Sequence, residues 1–133
     1  MLEIATETLK ARVPVTVIVV KGDVDTSNYK TFLERTQETL ASGARYLILD
    51  LKDVPFMSSA GLRVIHTIFN ELRNLHNDVN DDELRRQMSA GAYKSPHLKL
   101  AGPTAQVREA LELGGFETYI EVFNDVPGAL NSF

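Results

Sequence analysis

The sequence predicts an α/β fold: a mixed, mostly parallel sheet of about five strands with helices packed mainly on one face. Three observations carry this. Residues 13–21 are dense in β-branched side chains (Val13, Val15, Thr16, Val17, Ile18, Val19, Val20), and Tyr46-Leu47-Ile48-Leu49 is a short continuous apolar run; both have the character of buried strands. Tyr29, Phe32, Leu33 and Leu40, and again Leu62, Ile65, Phe69 and Leu72, recur at the spacing of one helical face. After an initial hairpin, strands and helices alternate, which makes most of the sheet parallel.

Residues 2–9 alternate loosely and read as an edge strand, joined by a polar turn at Lys10-Ala11-Arg12 to the central strand 13–21. Gly22-Asp23-Val24-Asp25 breaks that strand, and Thr26 or Ser27 is the expected N-cap of a first helix beginning near Tyr29. Lys30, Glu34, Arg35 and Glu38 face outward on it, and Gly43 suits its C-terminal stop. A strand over 45–51 and a helix from Ser59 to about Leu75 follow. The next strand covers 97–101, and Gly102-Pro103 suits a helix start, since proline at the first helical position lacks only an N–H that would be unpaired anyway. Val107, Ala110, Leu111 and Leu113 supply the inner face of that helix and Gly114-Gly115 ends it. A last strand over 116–123 and a short helix near 126–130 close the chain.

One segment breaks the economy of this layout. Residues 74–96 form a long, mostly polar connection where a handful of residues would normally suffice. Within it, Asp81-Asp82-Glu83 ahead of Leu84 suits a short helix start, Arg85-Arg86 continues a solvated charged surface, and Ser89-Ala90-Gly91-Ala92 reads as flexible. A second contact surface is the functional alternative for this insert. The whole of 1–133 is expected to form a single domain carrying it.

Composition excludes several classes. The chain has 133 residues, enough for one sizeable core, with 44% hydrophobic and 24% charged residues, the balance of a globular protein. A formal net charge of −4 gives no general attraction to nucleic acid or anionic membrane. With no cysteine there are no disulfides, thiolate metal sites or thiol nucleophiles. The first residues lack the basic start and apolar block of a signal peptide, and no apolar stretch is long enough to span a bilayer, so the expected location is cytoplasmic. His66, His76 and His97 lie far apart and have no carboxylate at ligand spacing, so neither a metal site nor a catalytic dyad is expected on them, and no cofactor is. No Gly-rich phosphate loop or nucleophile elbow appears, and an enzyme is the least favoured reading.

The most informative stretch is Asp50-Leu-Lys-Asp-Val-Pro-Phe-Met-Ser-Ser-Ala-Gly-Leu62, which sets Ser58 and Ser59 where a strand and loop turn into a helix. The free N–H groups and partial positive charge of a first helical turn tolerate a negative group well. Each residue here has an ordinary structural explanation beside a functional one. Ser58 reads as an N-cap whose loss would cost about 1 kcal/mol. Ser59 is either a tolerated polar residue of the first turn or a modifiable hydroxyl. Gly61 is small because a strand or a docked partner comes close. Asp23 and Asp25 are turn and capping residues or a charged contact, and Phe56 and Met57 are core or an exposed docking patch.

These residues carry a family resemblance. Gly22-Asp-Val-Asp25 between strand and helix, then Leu49-Asp50-Leu51 and Phe56-Met57-Ser58-Ser59-Ala60-Gly61-Leu62, resemble the STAS domain of bacterial anti-sigma factor antagonists. Pro103 and Gly114-Gly115-Phe116 are similar to later segments of that family, so the likeness covers nearly the whole chain apart from 74–96. It implies a STAS-like fold and a regulator of bacterial transcription that binds an anti-sigma factor which is also a serine kinase. That kinase would phosphorylate a serine at the start of the second helix and end binding, and a serine phosphatase would restore it. The family pattern is Asp-Ser-Ser/Thr-Gly with the first serine as acceptor; position by position the acceptor falls on Ser59 and the glycine on Gly61. Ser58 stands in place of the aspartate and Ala60 in place of the second hydroxyl residue, which leaves Ser58 as an alternative acceptor. The partner-facing set the resemblance implies is Asp23, Asp25 and Thr26 in the acidic bend, with Met57, Ser58, Ser59, Ala60, Gly61, Leu62, Arg63 and His66 at the helix start. Both segments leave the same edge of a parallel sheet, where such folds place ligands and partners. The alternative reading is a STAS-like scaffold or ligand-sensing module without phosphorylation, and a homodimer stays open.

Overall fold

β1 (Glu3–Lys10) forms the antiparallel edge of the sheet, pairing with β2 (Pro14–Lys21) in a register that sets Glu3 opposite Lys21 and Lys10 opposite Pro14. The computed structural model describes residues 2–133. From β2 onward every pairing is parallel, through β3 (Leu47–Asp53), β4 (Leu98–Ala101) and β5 (Glu121–Phe123), in the order β1-β2-β3-β4-β5. The expected mixed, mostly parallel five-stranded sheet is therefore the one observed.

The crossovers are α1 (Tyr29–Ala41), α2 (Ser59–Leu75), the insert helix α3 (Asp81–Ser89) and α4 (Ala105–Leu113), with α5 (Val126–Asn131) closing the chain. Strand alternation divides the core between two faces. Ile18, Val20, Leu47, Leu49, Leu51, Leu98 and Leu100 point to the face covered by Phe32 of α1, Ile65, Ile68, Phe69 and Leu72 of α2, Leu84 of α3 and Val107 and Leu111 of α4. Val15, Val17, Ile48 and Ala101 point the other way, toward Ala129 of α5. Strands buried on both faces read as continuous apolar runs rather than alternating ones. Among the described residues, no helix is long and apolar enough to cross a membrane.

Several local expectations shift. The N-cap of α1 is Asn28, not Thr26 or Ser27. Asp25 organises the preceding turn by accepting from the Ser27 N–H and hydroxyl, while Asn28 Oδ1 accepts from the Asp25 N–H at 2.9 Å, so the helix begins only after this network closes. Pro103 lies outside α4, whose N-cap is Thr104; its hydroxyl also donates to Val54 O at 3.0 Å. Leu113 is 82% exposed rather than inward, because α4 ends there. The stretch 116–123 is not one strand. Gly115 turns at φ +74°, Phe116–Thr118 forms a single 3-10 turn that buries Phe116, Tyr119 and Ile120, and only Glu121–Phe123 pairs with β4.

The insert is ordered against the body. Asn80 caps α3 by accepting from the Glu83 N–H at 2.8 Å. The buried Arg73 guanidinium of α2 donates to Val79 O at 2.7 Å and to Asp81 at 2.8 Å, and Leu84 and Tyr93 enter the core. The stretch 89–92 contains the end of α3 and a tight turn with Gly91 at φ +67°.

Candidate functional site

The start of α2 is held by a short backbone zipper. Val24 forms an isolated parallel bridge with Met57; its N–H donates to Phe56 O at 3.0 Å, and its carbonyl accepts from the Ser58 N–H at 2.8 Å. Three donor–acceptor pairs thus extend the β2–β3 pairing past the strand ends, since Gly22 N–H also donates to Asp53 O at 2.9 Å. The acidic bend at Asp23 and Asp25 is thereby fastened directly beside the loop that presents Ser59. From the other side, Gln106 of α4 accepts from the Met57 N–H at 3.1 Å. Neither Gln106 nor Thr104 carries a sequence signal for this role, because each lies about fifty residues along the chain from its partner.

The residues at the tip divide into two groups. Asp23, Thr26, Ser59, Arg63 and His66 are exposed, and Asp25 and Leu62 half-exposed. Ser59, Leu62, Arg63 and His66 follow the three-to-four-residue spacing that aligns them along one face of α2. Met57 (2% exposed), Ala60 and Gly61 are buried, so as direct side-chain contacts for a partner they are corrected: they form the floor beneath the tip. Phe56, in contrast, is 42% exposed, so the Phe56-Met57 pair splits into one surface and one core residue.

Gly61 owes its size to that floor. A Cβ there would fall 2.6 Å from Met57 Cγ and 2.8 Å from Val24 Cγ1, both closer than packed atoms allow. Gly61→Ala gains about 1 kcal/mol of helix propensity yet meets an overpacking cost of about 1–3 kcal/mol. The expected result is a net loss of up to about 2 kcal/mol in urea unfolding, with the Val24–Met57 bridge weakened; a stabilised variant would show that the floor gives way freely.

Ser58 occupies the N-cap position in extended backbone (φ −80°, ψ 174°), but its side chain makes no capping hydrogen bond, and its Oγ is buried without a partner. The expected capping role is thus met by position and not by chemistry. No acidic residue stands in the first turn of α2 either. The first N–H of the helix with an intrahelical acceptor is that of Leu62, which donates to Ser58 O at 3.1 Å. Removing an unpaired buried hydroxyl costs little, so Ser58→Ala is expected to change stability by less than about 0.5 kcal/mol, against the ~1 kcal/mol loss of a working cap. Thermal unfolding of that variant beside Thr104→Ala, whose hydroxyl does accept from the Val107 N–H, distinguishes the two cases.

Charge at the tip is set by hydrogen bonds. The Ser27 hydroxyl and N–H hold the Asp25 carboxyl below the usual carboxylate range, so it is anionic at neutral pH. Further along the same face, Asn70 Oδ1 accepts from Arg73 at 2.9 Å, which turns the Asn70 amide NH2 toward His66 Nε2 at 3.1 Å. Nε2 must then accept, and the His66 proton sits on Nδ1, 3.2 Å from the Tyr119 hydroxyl oxygen. Burial pushes the Tyr119 hydroxyl up to about 12. Among the described residues, no group of three or more His, Asp or Glu is arranged to hold a metal ion.

Residues 8–79 match the family model of the STAS domain. This chain belongs to the STAS domain family. Among relatives of this STAS domain, BtrV of Bordetella bronchiseptica, which carries the name of an anti-sigma factor antagonist, is 27% identical over 113 residues, 85% of this chain and 81% of that one. A crystal structure from Thermotoga maritima, also named for an anti-sigma factor antagonist, superposes with a TM-score of 0.71 at 17% identity over 95% of this chain and 90% of the other. The anti-sigma factor antagonist SpoIIAA in its unphosphorylated form gives 0.61 at 17% identity over 89% and 87% of the two chains. At such identities the structural likenesses establish the fold.

Proposed function

We propose that this STAS domain is an anti-sigma factor antagonist that binds a serine-kinase anti-sigma factor through the tip of α2 and the acidic bend, and that phosphorylation of Ser59 ends the complex. The observation that carries the reading is the placement of Ser59: exposed, first in a helix of 17 residues, and fastened beside Asp23 and Asp25 through the Val24–Met57 bridge. The contact face comprises Asp23, Asp25, Thr26, Ser59, Leu62, Arg63 and His66, with Met57, Ser58, Ala60 and Gly61 as its support. The names of the relatives favour the same partner class.

The switch is electrostatic and local. An unmodified hydroxyl at Ser59 lets a partner approach closely. A phosphate adds about −1.5 to −2 charge and three acceptor oxygens. The N-terminal end of α2 accommodates that charge without refolding, but a partner already facing two carboxylates does not. A serine phosphatase resets the hydroxyl.

The kinase needs access to an oxygen, and this separates the two serines. Ser58 Oγ is buried and the Ser59 side chain is exposed. Incubation with a cognate anti-sigma kinase and ATP, followed by peptide mass spectrometry, is expected to locate a single phosphate on Ser59. A phosphate on Ser58, or none with a kinase that binds the chain, would overturn the assignment and favour a scaffold that works without phosphorylation.

A further inference from the structure

The far end of α2 holds a cluster that this switch does not use. It lies 17 residues from Ser59, about 25 Å at the helical rise. His76, the C-cap of α2, and His97, just before β4, stack face to face, their ring centroids 3.6 Å apart and their planes within 3°. The two histidines, remote in sequence, are neighbours in the fold, and His97 has the carboxylate partner that sequence spacing did not reveal: its Nε2 lies 3.1 Å from Asp78 Oδ2. Tyr46 packs edge-on against His76 at 5.0 Å and tilted against His97 at 6.0 Å.

Hydrogen bonding assigns the protons. His76 Nε2 is 2.6 Å from Arg45 O, which can only accept, so Nε2 carries the hydrogen. Asp78 also accepts from the Val79 N–H at 2.7 Å and the Tyr93 hydroxyl at 2.8 Å. Burial raises its carboxyl, but these donors and His97 outweigh burial and hold it below the usual range, so it is ionised and His97 Nε2 donates to it. His97 Nδ1 is left as a bare acceptor, buried and without a partner.

Asp78 and Tyr93 flank α3, at the two ends of the insert. Their bond closes the segment on itself, and the Asp78–His97 bond ties the closed segment to the start of β4. We propose that the His76–His97 stack is a pH-sensitive latch: it holds the insert against the sheet while the His97 ring is neutral, and acid opens it, freeing residues 78–94 while the sheet stays folded.

The reason is what a proton would meet. On His97 it would create a buried N–H at Nδ1 with no acceptor. A further proton on His76 would set two cations face to face at 3.6 Å. The surrounding charges give little relief. From the start of β3 come the Tyr46 ring and Arg45, whose guanidinium donates to Leu40 O and Ala44 O. From α2 comes Arg73, and from the insert Tyr93 and Lys94, the latter donating to Glu117 O. From the C-terminal side comes the Phe133 ring, which packs edge-on against Tyr46 and lies under the Lys99 ammonium. Asp78 favours a proton on His97, but it is already shared among three donors.

The net direction agrees. Burial first, and then the His76 charge, push His97 below its usual value near 6.5, against the pull of Asp78. The opened segment therefore takes up protons more readily than the closed one. The advantage of the closed form is complete above about pH 6.5 and is lost as pH falls through the lowered His97 value. Burial and Asp78 push the Tyr93 hydroxyl upward, so it stays a donor throughout.

The test is amide hydrogen exchange on the full chain at about pH 7.5 and about pH 5, corrected for intrinsic rates. Residues 78–94 should exchange about tenfold faster in acid relative to β2 and β3. His97→Gln, which keeps a donor for Asp78 but takes no proton, should lose most of that response, His76→Gln should lose the smaller part of it, and His66→Gln should keep it. Equal protection at the two pH values, a response that survives in the His76→Gln/His97→Gln double variant, or loss of protection across the whole sheet at once would each overturn the latch. Should the variants fail to fold, the wild-type chain decides by NMR: the His97 ring signals must titrate together with the 78–94 amides. None of these outcomes depends on phosphorylation of Ser59.

Discussion

Phosphorylation of Ser59 is expected to weaken binding to a cognate anti-sigma kinase about a hundredfold, Ser59→Asp about tenfold, and Ser59→Ala not at all. A hundredfold corresponds to about 2.7 kcal/mol, well within what one doubly charged group contributes when it is forced against carboxylates in a desolvated contact. Aspartate carries one charge on a shorter arm and so produces the smaller effect in the same direction. The alanine variant keeps the close approach and can no longer be switched, so its complex should persist in the presence of kinase and ATP. Titration calorimetry on the three forms and on the unmodified chain gives the comparison. Equal affinities for the aspartate and alanine variants would remove the electrostatic switch, and a change in the far-ultraviolet circular dichroism of the phosphorylated chain would replace a local mechanism with refolding.

Phe69→Ala is expected to cost about 3–5 kcal/mol, the range for deleting a fully buried aromatic side chain. Phe69 is 1% exposed, with the rings of Tyr119 at 4.8 Å, Tyr93 at 5.9 Å and His66 at 6.2 Å around it. One side chain on α2 therefore joins the insert, through Tyr93, and the 116–119 turn, through Tyr119, to the main core. At about 3–4 °C per kcal/mol for a chain of this size, the melting temperature should fall by roughly 10–20 °C. Phe69→Leu should cost far less, because it keeps most of the volume. A loss below about 1 kcal/mol for alanine would mean that the three rings do not share one packed cluster.

Element identity was readable wherever local periodicity was long. The bounds of α2 coincide with those expected from its pattern, because apolar residues from Leu62 to Leu72 hold one helical face over about three turns. The start of α1 was misread where Asp25, Ser27 and Asn28 bind one another first; several polar residues in a row all carry capping chemistry, and only their mutual geometry selects among them. The run 116–123 failed for a different reason. Phe116, Tyr119 and Ile120 are apolar enough for a strand, yet their spacing is that of a turn that buries all three against the core.

The candidate site followed the same division. That two hydroxyl residues stand at the junction of strand, loop and helix is a local fact, visible in Asp50–Leu62. Which of them a kinase can reach is not local. The Ser58 oxygen is buried in a loop that is drawn onto Val24 from one side and held by Gln106 from the other, and a Cβ at position 61 would crowd the Met57 and Val24 side chains of that closure. The histidine stack was likewise invisible, since His76 and His97 meet only when α2 and β4 are brought to the same end of the sheet.

By itself, then, the sequence determined the order of strands and helices and the presence of serine at the positive tip of α2, because hydrophobic period and turn chemistry act within a few residues. The tertiary structure alone decided that Ser59 faces solvent while Ser58 does not, that Met57 and Gly61 are floor rather than surface, and that two remote imidazoles share one buried contact. Exposure and pairing depend on which distant segments exclude water from a given atom, and that information resides in the packing of the whole chain.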